Sequence, residues 1–198
     1  MKKVLLLLFL VVTLPAAAEE TLFDGHIHHS GGYGGPVVRF TEIGPNSDMG
    51  VIVGGRGGWI INHKFILGGG GYGLTTEHNP ADWEPTDFQT DYRLNVGYGG
   101  IFLGYTQNSD QVLHYTVETM IGWGGVNYSR FDVEQDPDNG DSFFVLEPGV
   151  NLEVNVTSFF RVGIGATYRY IQGVDYYSIT NEDLSGVSGQ IIFRFGSF

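Results

Sequence analysis

Apolar and polar positions alternate along the second half of this chain with a period of two. Over residues 159–172, Phe160, Val162, Ile164, Ala166, Tyr168 and Tyr170 share one parity, while Arg161, Gly163, Gly165, Thr167 and Arg169 share the other. Residues 143–156 repeat the pattern, with Phe144, Leu146, Val150, Leu152 and Val154 opposite Glu147, Gly149, Asn151 and Glu153. Residues 112–131 set Leu113, Tyr115, Val117, Ile121 and Trp123 against His114, Thr116 and Glu118. Such alternation is the signature of strands with two unlike faces. In the fourth segment it places Tyr92, Leu94, Val96, Tyr98 and Phe102 outward and Asp91, Arg93 and Asn95 inward, whereas the glycine-packed second and third segments alternate poorly.

Punctuation by turn residues divides the chain into eight strands, expected at residues 34–43, 49–61, 65–76, 90–106, 112–131, 143–156, 159–172 and 184–198. Connections two, four and six are tight; one, three, five and seven are polar and mostly longer. An even strand count with short turns at one rim and larger loops at the other predicts an all-β, eight-stranded antiparallel up-and-down transmembrane barrel, its short turns periplasmic. A sheet crossing a bilayer must close to satisfy its backbone polar groups. The structural alternative is a soluble, lipocalin-like barrel with its apolar face inside. The charges opposite the apolar face argue against it.

Residues 1–18 carry Lys2 and Lys3, an apolar run from Val4 to Leu14, a break at Pro15 and small residues at Ala16, Ala17 and Ala18. This is the anatomy of a cleaved secretory signal. The expected organisation is a signal at 1–18, an N-terminal periplasmic extension at 19–30 and the barrel at 31–198. The 31 glycines and 14% aromatic content suit a turn-rich sheet. A net charge of −12 leaves no basic footprint for nucleic acid. The chain has no cysteine, so disulfides and thiolate metal sites are excluded.

Parity assigns Arg39, Arg56, Arg93, Arg161, Arg169 and Arg194 to the inner face together with Asp91, Glu118, Glu147 and Glu153. An eight-stranded barrel has just enough interior for side chains to fill. Charges there must pair, which predicts a structural salt-bridge network and a plugged polar lumen.

The signal, the eight strands and the terminal Phe198 resemble small bacterial outer-membrane barrels of the OmpA and OmpX type. The stretches GGYGGPVVRF (31–40), GGRGGWIIN (54–62) and LEPGVNLEVNVTSFFR (146–161) resemble a group of uncharacterised outer-membrane barrels. The resemblance implies a monomer in the outer membrane, surrounded by lipid and lipopolysaccharide and inserted by the barrel-assembly machinery through the strand ending in Phe198. It implies no activity and no cofactor. The final strand departs from the pattern, because Arg194 and Gly196 share Phe198's parity while Ile191, Phe193 and Phe195 hold the apolar one. Either a bulge near Gly196 or a variant assembly signal would account for this. Pro148 suggests another bulge.

Sharper chemistry finds little support. The GGGGYG run at 68–73 satisfies G-x-G-x-x-G, but no helix follows to face a phosphate. Its glycines fit a strongly bent wall better. His26, His28 and His29 are weak metal candidates on a glycine-flanked tail. Asp132, Glu134, Asp136, Asp138 and Asp141 crowd one loop and are divalent-ion candidates without EF-hand spacing. Trp83, Tyr176 and Tyr177 are loop aromatics, suited to an interfacial girdle or a surface ligand. No serine, base and acid assemble on one face, so no catalytic residue is assigned. The leading expectation is a non-enzymatic structural or surface-interaction barrel acting through acidic outer loops. The alternatives are a narrow channel or binding site for small apolar molecules, and a lipid A-modifying enzyme.

Overall fold

A computed structural model describes residues 30–83, 92–130 and 140–198. Eight long strands close into one antiparallel barrel: β1 (Ser30–Ile43), β2 (Asp48–Ile61), β3 (Phe65–Leu74), β4 (Tyr92–Gln107), β5 (Leu113–Arg130), β6 (Asp141–Asn155), β7 (Phe160–Gln172) and, after a capping segment, β10 (Gly186–Ser197). Each strand pairs with its neighbours in sequence, and β10 closes on β1. The ends of the expected strands move by a few residues at most. The seventh connection holds more structure than its polar sequence suggested: a short hairpin of β8 (Asp175–Tyr176) and β9 (Ile179–Thr180), followed by the single-turn helix α1 (Asn181–Leu184). No described helix is long and apolar enough to cross a membrane.

The tight connections follow from turn chemistry. Ile61 and Lys64 bracket Asn62 and His63, which take φ values of 53° and 58°, and the Lys64 amide donates to the Ile61 carbonyl at 3.1 Å. Two successive positive φ angles match the right-handed twist of the strands they join. Asn108, with φ 56°, opens the next short turn.

Register is continuous where bulges were expected. β10 keeps one offset against β7 from Gly186↔Arg169 to Phe195↔Phe160, and Gly196 pairs Tyr33 in line with its neighbours. Arg194, Gly196 and Phe198 therefore keep the inner parity, and the Phe198 ring stacks on Tyr33 at 6.4 Å between centroids. Pro148 also pairs in register, with Thr119. Its missing N–H only interrupts the ladder toward β7, which resumes at the same offset at Gly149↔Thr167.

Inner and outer glycines serve different ends. A Cβ on Gly122 would collide with the Gly99 carbonyl, one on Gly68 with the Phe102 ring, and one on Gly70 with the Cβ of Arg56. Across the ladder Arg56 faces Gly70, while Glu153 faces Gly163, Asn151 faces Gly165 and Thr167 faces Gly149. Each of these long or polar inner side chains thus lies over a neighbour that has none. Several outward glycines are not crowded in this way: Gly71 and Gly73 have no neighbour closer than 3.9 Å, and Gly189 has none within 4 Å, although Gly57 and Gly99 do press on backbone carbonyls. Within the GGGGYG run, Gly68 and Gly70 are thus required by packing inside the wall, while Gly71 and Gly73 are not.

Gly122→Ala should therefore destabilise the barrel by about 2 kcal/mol or more, because overpacking against backbone cannot relax. Gly189→Ala should change stability little. Urea unfolding followed by tryptophan fluorescence separates the two outcomes.

Candidate functional site

The interior is the part of the molecule where polar chemistry is concentrated. Arg39, Arg56, Arg161, Arg169 and Arg194 are buried on the inner face, together with Glu118, Glu147 and Glu153. Strand parity places them there and the inner glycines make room for them. Near mid-height, Arg39 Nη2 meets Glu147 Oε1 at 2.6 Å. Arg39 Nη1 donates to the Tyr98 hydroxyl at 2.9 Å, which in turn donates to Glu147 Oε2 at 3.0 Å. Arg39 Nε donates to Gln190 Oε1 at 3.1 Å, and Gln190 Nε2 donates to Asn151 Oδ1 at 2.6 Å. The Arg39 guanidinium also lies 3.7 Å from the centroid of the Tyr72 ring.

A second cluster sits nearer the short turns. Glu118 is shared: its Oε1 pairs with Arg56 and its Oε2 with Arg194 Nη2 at 3.3 Å. The same Arg194 nitrogen lies 3.1 Å from Glu153 Oε1, and His114 Nε2 is 3.7 Å from Glu153 Oε2. His114 Nδ1 can donate to the Gln111 carbonyl, 3.2 Å away. At the mouth on this side, Arg161 stacks 3.9 Å over the Phe198 ring and donates to the Ser109 carbonyl at 3.2 Å. Phe198 and Arg161 together close that end.

The other end is apolar and capped. Ile52, Leu94, Val96, Val126, Tyr128, Phe143, Val145 and Ile171 are buried just beneath the loops, and the capping segment adds Val174, Tyr176, Ile179 and Leu184. Arg169 Nε donates to the Leu184 carbonyl at 2.6 Å. The Gly44 amide donates to the Asp183 carbonyl at 2.9 Å, and the Ile171 amide donates to Ser185 Oγ at 3.0 Å. Trp83, half-buried, donates through Nε1 to the Tyr128 hydroxyl at 3.1 Å, so it belongs to this cap. Tyr176 is buried beside it and Tyr177 is exposed.

This apolar layer corrects the reading of the fourth strand. Leu94, Val96, Tyr98 and Phe102 point inward, and Arg93 is exposed on the outer surface, where Asn95 Nδ2 donates to Ser129 Oγ at 2.6 Å. Arg93 is therefore no part of the interior network. Asn151, which parity placed inside, completes that network together with two residues that parity did not single out, Tyr98 and Gln190. Gln190 shares the parity of Arg194 and was legible in principle, whereas Tyr98 was hidden by the misassigned face. Asp91, Asp132, Glu134, Asp136, Asp138, His26, His28 and His29 lie outside the described residues. Asp141 is described, and its two oxygens accept from the Ser142 amide and the Asp175 amide, each at 2.8 Å. Among the described residues no three His, Cys, Asp or Glu side chains are placed to hold a metal ion.

One histidine outside the strands is chemically specific. His78 is buried in the loop after β3, and its Nε2 lies 3.0 Å from Thr76 Oγ1. That hydroxyl also accepts from the Val51 amide at 3.1 Å. Burial, outweighing Asp48 and Asp82, holds the His78 pKa below its ordinary value of 6.5. The His78 carbonyl accepts from the Leu94 amide at 2.8 Å, tying the loop to β4.

The sequence matches no family model and no curated protein. Solved structures do resemble the fold. Neisserial surface protein A is 12% identical with a TM-score of 0.60, over 85% of this chain and 96% of that one. The N-terminal β-barrel domain of Pseudomonas aeruginosa OprF is 11% identical with a TM-score of 0.54, over 84% and 96%. Ail, the attachment invasion locus protein of Yersinia pestis, is 10% identical with a TM-score of 0.50, over 84% and 97%. The chain therefore has the fold of small eight-stranded outer-membrane barrels.

Two outcomes are expected from this geometry. Glu118→Gln, which leaves Arg56 and Arg194 without their shared anion, should cost about 3 kcal/mol or more in urea unfolding. The His78 imidazole should titrate below 6.5 by NMR. A group with a lowered folded-state pKa leaves stability intact above the unfolded value and erodes it as pH falls through that value. The protection factor of the Leu94 amide, corrected for the intrinsic exchange rate at each pH, should therefore fall below pH 6.5.

Proposed function

We propose that this chain is an integral outer-membrane barrel with a non-conducting lumen, its N-terminus in the periplasm, working through the acidic surface at its looped end. The observation that carries the reading is how little room the described interior side chains leave. The gap lined by Arg39, Arg56, Tyr72, Glu118, Glu147 and Thr167 is about 10 Å³, roughly the room for one water molecule. Above it lies the apolar layer beneath the cap, which offers a hydrated ion no polar path. The outward belt supports insertion: Trp59, Ile101, Leu103, Val117, Trp123, Val150, Ile164 and Val187 are exposed. Exposed apolar area on that scale needs lipid to cover it.

The looped end presents Glu42, Asp48, Glu77, Asp82, Asp175 and Glu182. Ail has been crystallised with the heparin analogue sucrose octasulfate. A chain with a net charge of −12 is poorly suited to such a polyanion, and cationic or neutral partners fit its loops better. The geometry lends little to a lipid-modifying enzyme. His78 bonds to a threonine within its own loop, and His114 faces a lumen carboxylate at the opposite end. Among the described residues no serine joins either one.

Planar-bilayer recording tests the central claim. The purified barrel should give no steady single-channel steps, and reproducible conductance at a fixed unit size would overturn the non-conducting reading.

A further inference from the structure

The interior holds more cations than anions. Among the described residues five buried guanidinium groups, Arg39, Arg56, Arg161, Arg169 and Arg194, face three buried carboxylates, Glu118, Glu147 and Glu153. Arg161 lines an open bowl of about 640 Å³ at the short-turn mouth, so solvent screens it. The remaining four arginines exceed the three carboxylates by one unit of charge, in a region sealed by the apolar layer on one side and by Phe198 on the other. An uncompensated charge in such a place costs several kcal/mol after relaxation.

Hydrogen bonding shows the same excess. Both oxygens of Glu118 and both of Glu147 are engaged by arginine or tyrosine donors. The two oxygens of Glu153, ion-paired with Arg194, accept no hydrogen bond, and donors are left over in greater number. Arg56 Nε and Nη2, Arg169 Nη1 and Nη2, Arg194 Nε and Nη1, Thr167 Oγ1 and Ser188 Oγ are buried with no protein acceptor. Arg56 and Thr167 both line the 10 Å³ gap, with Arg39 beside them; Glu118 and Glu147 also border it. Two residues that carry three orphan donors thus line a space that admits one particle of about the size of a water molecule.

We propose that this gap is a halide site: a single monatomic anion, chloride in ordinary media, accepts from Arg56 Nε and Nη2 and from Thr167 Oγ1 and neutralises the surplus guanidinium charge. A polyatomic anion such as sulfate or phosphate is too large. A water molecule would take the donors' hydrogen bonds but would leave the charge surplus in place and bring two protons of its own to satisfy.

Two measurements on the refolded full-length barrel in detergent test the site. Crystals grown in sodium bromide should show one anomalous peak inside the barrel, within hydrogen-bonding distance of Arg56 and Thr167. No anomalous signal there, with water density in its place, overturns the proposal. In solution, the thermal unfolding midpoint should rise and then saturate as chloride replaces gluconate at constant ionic strength. Thr167→Val, which keeps the shape and removes one donor, should weaken that dependence. Arg169→Gln, which removes the surplus charge, should abolish it. Equal midpoints in chloride and gluconate for the parent protein, or an unchanged chloride response in Thr167→Val, would sink the idea even if Arg169→Gln fails to fold.

Discussion

The narrow interior left by eight closed strands governs the rest of the molecule. Such a barrel has space for side chains from some of its inner positions but not from all of them. Here the conflict is resolved by pairing large with nothing: Arg56 faces Gly70, and Glu153, Asn151 and Thr167 face Gly163, Gly165 and Gly149. The glycine content that marks this sequence is in part the complement of its buried charges. Fill those inner glycines and the arginines have nowhere to lie. Remove the arginines and the glycine-lined wall surrounds voids that nothing offsets.

Once the charges are inside, electrostatics dictates their arrangement. Sharing is the economical solution in so small a volume: Glu118 serves Arg56 and Arg194, and Arg194 reaches both Glu118 and Glu153. A chain of contacts through Tyr98 and Gln190 links Arg39 to Glu147 and Asn151. Aromatic faces do part of the same work, since Arg39 lies over Tyr72 and Arg194 over Tyr33. These contacts join strands far apart in sequence, so the network ties the wall together across the lumen as the backbone ladder does around it.

Legibility in the sequence tracks how uniform the interior is along each strand. In β6 and β7 the inner face is polar or small from Glu147 to Asn155 and from Arg161 to Arg169, with Phe143, Val145 and Ile171 only at the looped end, and simple alternation assigned Glu147, Glu153, Arg161 and Arg169 to the side they occupy. β4 crosses from the polar region into the apolar layer under the cap. There the rule that polar means inward reverses, and Arg93 was drawn inside by the apolar residues that actually fill the barrel. The same blindness to that layer hid the capping segment, whose Val174, Tyr176 and Ile179 read as isolated apolar residues in a polar loop and whose Leu184 read as the start of the last strand. Pro148 and Gly196 suggested bulges because each breaks a local habit, yet the ladder on either side holds the register, and one interrupted hydrogen bond or one inner glycine is a smaller cost than a shifted strand.

The cap gives the looped end a character that loop composition alone would not. Its residues alternate between burial and exposure: Tyr176, Ile179 and Leu184 point down into the barrel, while Asp175, Tyr177, Thr180 and Glu182 point away. Arg169 and Ile171 of β7 and Gly44 at the end of β1 fasten it to two strand ends through hydrogen bonds of 2.6 to 3.0 Å. The segment that seals the barrel is therefore also the one that holds Asp175, Tyr177 and Glu182 at fixed positions on the surface. Those groups meet a partner without first giving up the conformational entropy of a free loop. Sealing and presentation are one structural act here, because the apolar underside that excludes water is what immobilises the polar face above it.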